Sequence, residues 1–156
     1  LPDIVDPATR SRMMSGIRST DTKPEMMLRR GLHRRGLRFR IHDRSLAGTP
    51  DLVFPGRRAV LFAHGCFWHG HDCHLFRMPA TRPDFWAAKI GRNRANDDLA
   101  VSRLLDEGWR VGTVWECALR GRARLPEDEI LDRCEQWLRE GSGERGFEIR
   151  GSVESW

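Results

Sequence analysis

Residues 64–74, His-Gly-Cys-Phe-Trp-His-Gly-His-Asp-Cys-His, crowd two thiols and four imidazoles into one short stretch, and Cys117 adds a third thiol further on. Zinc asks for four soft or borderline donors at the corners of a tetrahedron, and thiolates with imidazole supply them. Cys66, His71, Cys73 and Cys117 are the set this pattern offers for a structural zinc ion. Its binding free energy would add to the folding of a small domain with an irregular, aromatic-rich loop. The spacing is not the common pair of cysteines separated by two residues, so buried free cysteines with surface histidines stay open as the other reading. Cys134 stands apart: Ile130 and Leu138 lie one turn away on either side, and it reads as core.

The acids form a second constellation. Asp51 opens the apolar run Leu52-Val53-Phe54 directly after Thr49-Pro50. There it is either a turn cap or a metal ligand. The next apolar run ends at Ala63-His64, and the Pro55-Gly56 turn can bring that end back towards Asp51. A carboxylate, a backbone carbonyl and water suit magnesium, which prefers oxygen and keeps water ligands. Asp97 falls on the stripe of Trp86, Ile90, Val101 and Leu104 at about 100° per residue. A carboxylate on the buried face of a helix needs a partner, and either His69 or an arginine can serve. Glu25 closes the pattern Thr22-Lys23-Pro24-Glu25, a capping box that accounts for it without any chemistry.

These groups need elements to hold them. A leader at 1–6 precedes a short helix started by Asp6-Pro7, with Met13, Met14 and Ile17 among Arg10, Arg12 and Arg18. A second helix runs from Thr22 to Arg35 and Gly36 closes it. Strands are expected at 37–42, 51–54 and 59–63, then a structured loop over 64–80. Pro83 opens a long helix ending near Gly108, residues 109–115 form a fourth strand, and Pro126 opens an amphipathic helix. The polar, Gly-rich stretch 141–156 reads as a mobile tail. This order predicts an α/β fold, a mixed sheet flanked by helices, in a single domain spanning 1–156.

Composition sets the class of partner. The chain is 39% hydrophobic and 31% charged, which fits a soluble globular domain. Its 27 basic against 22 acidic side chains leave a formal charge of +5, which favours a polyanion such as nucleic acid. No run is long enough to span a membrane, and no charged-then-apolar leader marks it for export. The compartment is read as the reducing cytoplasm, where four cysteines serve metals or core rather than disulfides.

Taken together, these residues resemble the very-short-patch-repair (Vsr) endonuclease family, over roughly residues 6–140. Ala8-Thr-Arg-Ser11, Thr49-Pro50-Asp51, His64-Gly-Cys-Phe-Trp-His69, Pro79-Ala-Thr-Arg82, Phe85-Trp86, Lys89-Ile90-Gly91 and Trp115-Glu-Cys-Ala-Leu-Arg-Gly121 carry the likeness. It implies a restriction-endonuclease-like fold and a magnesium-dependent nick beside the thymine of a T·G mismatch left by deamination of 5-methylcytosine. The alternatives are a sequence-specific nickase or restriction-type nuclease of the same fold, and a non-catalytic zinc module that binds distorted DNA.

The resemblance implies Asp51 as magnesium ligand with the Ala63 backbone carbonyl beside it, and His64 as the group that orients water or phosphate. His69 becomes the general base, since an imidazole changes charge near neutrality, with Glu25 and Asp97 in support. Cys66, His71, Cys73 and Cys117 match structural zinc ligands. Phe67 and Trp68, with Met14 opposite, match a wedge between base pairs, and residues 1–20 a DNA-contacting arm. The implied partners are mismatched duplex DNA and mismatch-repair proteins, for a monomer in a bacterial cytoplasm, on the nucleoid. Two positions depart from the family: Ala63 stands where threonine is common, and His74 where an aromatic is more typical.

Overall fold

The structure, a computed structural model, describes residues 21–140 and 144–152. The helix expected after Asp6-Pro7, with Met14 on it, lies outside the described residues.

Helix α1 (Lys23–Arg34) begins at the capping pattern: Thr22 is the N-cap, its side chain accepts from the Glu25 amide, and Pro24 lies in the first turn. It ends with Gly36 at φ 90° and the Leu37 amide donating to the Leu32 carbonyl at 3.0 Å. That is the left-handed closure glycine permits, and it draws Leu37 into the helix end. His42 then takes φ 49°. Pinned at both ends, the strand expected at 37–42 shrinks to β1 (Arg40–Ile41).

The chain continues through β2 (Leu52–Phe54), a 3-10 turn at Pro55–Arg57, β3 (Ala59–His64), α2 (Pro83–Asp106), β4 (Arg110–Trp115), α3 (Glu116–Leu119), α4 (Glu127–Glu140) and β5 (Gly146–Ile149). The sheet order is β1-β2-β3-β4-β5. The pairs β1–β2 and β2–β3 are antiparallel, and β3–β4 and β4–β5 are parallel. A parallel pair needs a crossover, and α2 supplies it between β3 and β4.

Alternation along β3 decides what the sheet presents to each side. Ala59 and Leu61 join a core with Leu28 and Leu32 of α1 and Ile130, Cys134 and Leu138 of α4. Val60 and Phe62 join a second core with Leu104 of α2 and Trp109. His64 continues the second set, its ring centroid 5.2 Å from that of Phe62. The strand therefore delivers His64 to the side of the sheet on which α2 packs.

Within the stretch read as a mobile tail, residues 146–149 instead form β5, an edge strand beside β4. Phe147 stacks on Trp137 with centroids 4.9 Å apart, and Ile149 is fully buried. Two apolar residues at alternate positions are enough to seat a polar, Gly-rich segment on a sheet edge.

Candidate active site and metal centre

The acidic corner is built where β2 starts and β3 ends. Asp51 Oδ2 accepts from the Ala63 amide at 2.7 Å, so the carboxyl is held at the end of β3. Burial above all pushes the Asp51 carboxyl up to about 7; the Ala63 amide opposes this, and the facing Glu25 carboxyl adds to it. A carboxyl so placed is about half protonated near neutral pH, and a cation beside it would favour the ionised form. Glu25 is 1% exposed. Its Oε1 accepts from the Asp21 amide at 3.1 Å, and its Oε2 lies 3.0 Å from Arg29 Nη1 and 2.7 Å from His42 Nε2. Glu25 thus both caps α1 and faces Asp51.

Across the same cavity stand two histidines. Asp51, Ala63, His64, His69 and Asp97 all line a hollow of about 370 Å³, with His42 and Asn96 at its wall. His69 Nδ1 hydrogen-bonds to Asp97 Oδ2. Of the two partners open to Asp97 in the sequence, the structure places it with the histidine. The His64 and His69 rings stack, centroids 3.9 Å apart and planes within 8°. Burial, and then the neighbouring His69, hold His64 down at about 3, so it stays neutral near neutral pH.

The thiol centre sits just beyond. One ligand atom each from Cys66, His71, Cys73 and Cys117 lies within 4.8 Å of the others. His71 Nδ1 is 3.5 Å from Cys66 Sγ and 3.6 Å from Cys117 Sγ. Zinc bond lengths of about 2.3 Å to sulfur and 2.0–2.1 Å to nitrogen give a tetrahedral S···N edge of roughly 3.6 Å. The donor set therefore fits a tetrahedral metal. A hydrogen bond from the Cys66 thiol pushes Cys117 down to about 4, and the same bond holds Cys66 up. The Gly151 amide, 3.3 Å from Cys117 Sγ, also favours the thiolate. Cys134 lies in the core, and burial pushes its thiol up to about 12.

Comparison with known proteins settles the family. A model of the family described as DNA mismatch endonuclease Vsr matches residues 2–75. The DNA mismatch endonuclease Vsr of Escherichia coli is 49% identical over 138 residues, 88% of each chain. The chain belongs to the Vsr family. Type II nicking enzyme V.XorIIP of Xanthomonas oryzae pv. oryzae is 50% identical over 119 residues, 76% of this chain and 88% of the relative. Type II nicking enzyme V.NmeAIP of Neisseria meningitidis is 39% identical over 123 residues, 79% and 88% respectively. As a member of the Vsr family the chain is a DNA endonuclease. The stretch matched by the Vsr model takes in Glu25, Asp51, Ala63, His64 and His69 and three of the four clustered metal donors, while Asp97 and Cys117 lie beyond it.

In this Vsr-family chain Phe67 and Trp68 are half-buried rather than freely projecting. Their rings lie 5.2 Å apart and pack on Trp86 of α2 at 5.5 and 5.8 Å. Asn93 donates to the Trp68 carbonyl at 2.8 Å. Gly70, at φ 58°, lets the loop press against α2: a Cβ there would lie 2.6 Å from Ile90 Cγ2. His74 stays outside the cluster of metal donors.

Sequence reasoning missed two residues of the site. His42 closes the alternating run Arg38-Phe-Arg-Ile-His42 next to an acid, a faint signal that polar chemistry begins there. Glu148 has no sequence signal; it reaches the Cys/His centre because β5 pairs with β4, and its Oε1 accepts from Trp115 Nε1 at 2.7 Å.

Proposed function

We propose that this chain nicks one strand of duplex DNA beside the thymine of a T·G mismatch, by magnesium-dependent hydrolysis of the phosphodiester. The observation that carries the reading is the His69–Asp97 pair, with His64 stacked on it, opening into the same cavity as Asp51. The relatives, a DNA mismatch endonuclease and two nicking enzymes, support DNA as the substrate.

Asp51 and the Ala63 carbonyl would hold the magnesium ion. When bound, such an ion stabilises negative charge on the phosphate and the leaving oxygen. The bond to Asp97 fixes His69 with its proton on Nδ1, which leaves Nε2 to take a proton from the attacking water. Neutral His64 orients the water or the phosphate. The products are a 3′-hydroxyl and a 5′-phosphate, and one such site in a monomer suffices for a nick. Ala63 lacks the hydroxyl common in the family, so its contribution rests on the backbone alone.

The thiol centre takes structural zinc, since four protein donors leave no open coordination position. It stiffens the loop that carries Phe67 and Trp68, and a rigid loop loses less entropy when it enters DNA. These rings, with Met14, act as the wedge, where unstacking costs a few kcal/mol and a mismatched step costs least. The mixed sheet with helices packed on it, and an acid at the start of β2, support a restriction-endonuclease-like fold. Among the described residues no helix is long and apolar enough to cross a membrane.

The test uses end-labelled duplexes that differ only in one T·G or one C·G pair, with magnesium or with EDTA. A magnesium-dependent nick beside the mismatched thymine alone is the expected result. Equal cutting of both duplexes would replace mismatch recognition with the sequence-specific nickase reading, and tight binding without a nick would leave a binding module.

A further inference from the structure

We propose that His42 is a positioning residue for the acidic corner, holding the Glu25 carboxylate beside Asp51 through its Nε2. This rests on the reading of that corner as the divalent-cation site. His42 joins the two acids by two separate bonds. Its side chain meets Glu25 Oε2 at 2.7 Å, and its backbone amide donates to the Asp51 carbonyl at 3.2 Å. The other donors to Glu25, Arg29 and the Asp21 amide, come from α1 and from two residues before its start. His42 is the partner from the sheet side, and it lines the cavity together with Asp51, His64, His69 and Asp97.

The backbone supports the same conclusion. His42 stands at φ 49°, a left-handed conformation uncommon for a ring-bearing residue and more natural to asparagine or glycine. A residue kept there needs compensation, and the paired bonds to Asp51 and Glu25 provide it. Asp21, Glu25 and His42 also place donor atoms within 4.8 Å of one another, which suggests a second cation site. Arg29 argues against that reading: its Nη1 lies 2.6 Å from Asp21 Oδ1 and 3.0 Å from Glu25 Oε2, so a cation already occupies the cluster. Orientation of Glu25, not a further metal, is what His42 contributes.

The experiment compares His42→Gln with His42→Asn in the full, zinc-loaded chain. Both introduce a side-chain amide. Glutamine reaches about as far as imidazole Nε2, whereas asparagine falls about an ångström short but suits the left-handed backbone better. Mn2+ is titrated into the DNA-free protein and followed by EPR, since manganese prefers oxygen donors to the thiolate shell. Nicking is measured against magnesium concentration in parallel, with thermal midpoints and zinc content recorded. His42→Asn should keep its zinc and its thermal midpoint, bind Mn2+ about tenfold more weakly, and need about tenfold more magnesium for half-maximal nicking. Its rate at saturating magnesium should change little, and His42→Gln should stay within about threefold of the parent throughout. Equal metal dependence in all three proteins, equal loss in both variants, or no Mn2+ bound by the parent would each overturn the proposal. If the parent binds Mn2+ but does not nick the mismatch, the functional reading fails while the manganese titrations still decide the role of His42. Should His42→Asn not fold, His42→Leu takes its place with the same expected loss.

Discussion

His64 and His69 lie face to face, their ring planes within 8° and their centroids 3.9 Å apart. Burial above all, and then the facing His69, keep His64 neutral. His69, by contrast, is bonded to Asp97, and in the proposed mechanism it is the one that accepts the proton. Asp97→Asn keeps the shape of the pair but can donate to Nδ1 and fix the wrong tautomer. Single-turnover nicking should fall by about 10²–10⁴-fold with mismatch affinity unchanged. A full rate in Asp97→Asn would remove the pair from catalysis.

Burial of Asp51 links its protonation to stability, and the proposed metal site links both to activity. Without a metal ion its carboxyl is pushed from the ordinary aspartate value of 3.8 up to about 7, chiefly by burial. Between those values the folded chain binds more protons than the unfolded one, so this contribution is complete below about 4 and is lost as pH rises through about 7. Its slope is at most ~1.4 kcal/mol per pH unit. In EDTA, thermal midpoints should therefore drop across this window more steeply for the parent than for Asp51→Asn. The same variant should lose about a thousandfold or more in nicking. Parallel pH profiles for the two proteins would show that Asp51 is not strained by its site.

Cys134 is an internal control for the metal centre. It is as buried as Cys66 and Cys117 but packs among Ile130, Leu138 and the α1 leucines. Cys134→Ala should keep one zinc per chain and cost about 1–2 kcal/mol from the small void. Cys73→Ala should lose the zinc and, with it, mismatch binding. Elemental analysis of the two purified variants decides the matter, and equal zinc in both would dissolve the four-residue set.

The elements most legible in the sequence were those with strong local physics. Thr22-Lys23-Pro24-Glu25 marked the start of α1, the apolar stripe of α2 marked Asp97 as an acid in need of a partner, and the apolar run 59–63 marked β3. What stayed hidden depends on contacts between distant segments. The short β1 follows from Leu37 closing α1 and from the left-handed His42, neither of which a six-residue alternation reveals. The role of Glu25 was half legible, because the cap it makes is local while its approach to Asp51 is not. β5 reads as tail by composition, and only the edge of β4 gives it a place.

That edge strand leads to a prediction about the metal centre. Trp115 stacks on the His71 imidazole with centroids 3.9 Å apart and planes within 8°. The Trp115 indole is in turn held by Glu148, whose Oε1 also lies 4.0 Å from His71 Nε2. His71 turns Nδ1 to the thiols and Nε2 towards this carboxylate, which at 4.0 Å is beyond hydrogen-bond reach but close enough for its charge to favour the N–H on Nε2. Glu148→Ala should speed zinc loss to a chromogenic chelator by about tenfold. Glu148→Gln, which keeps an acceptor for the indole, should lose zinc at an intermediate rate. The side chain is exposed, so neither change should shift the thermal midpoint of the zinc-loaded protein by more than a degree or so. Equal release rates in all three proteins would mean that the Trp115 stack alone orients His71 and that β5 serves packing only.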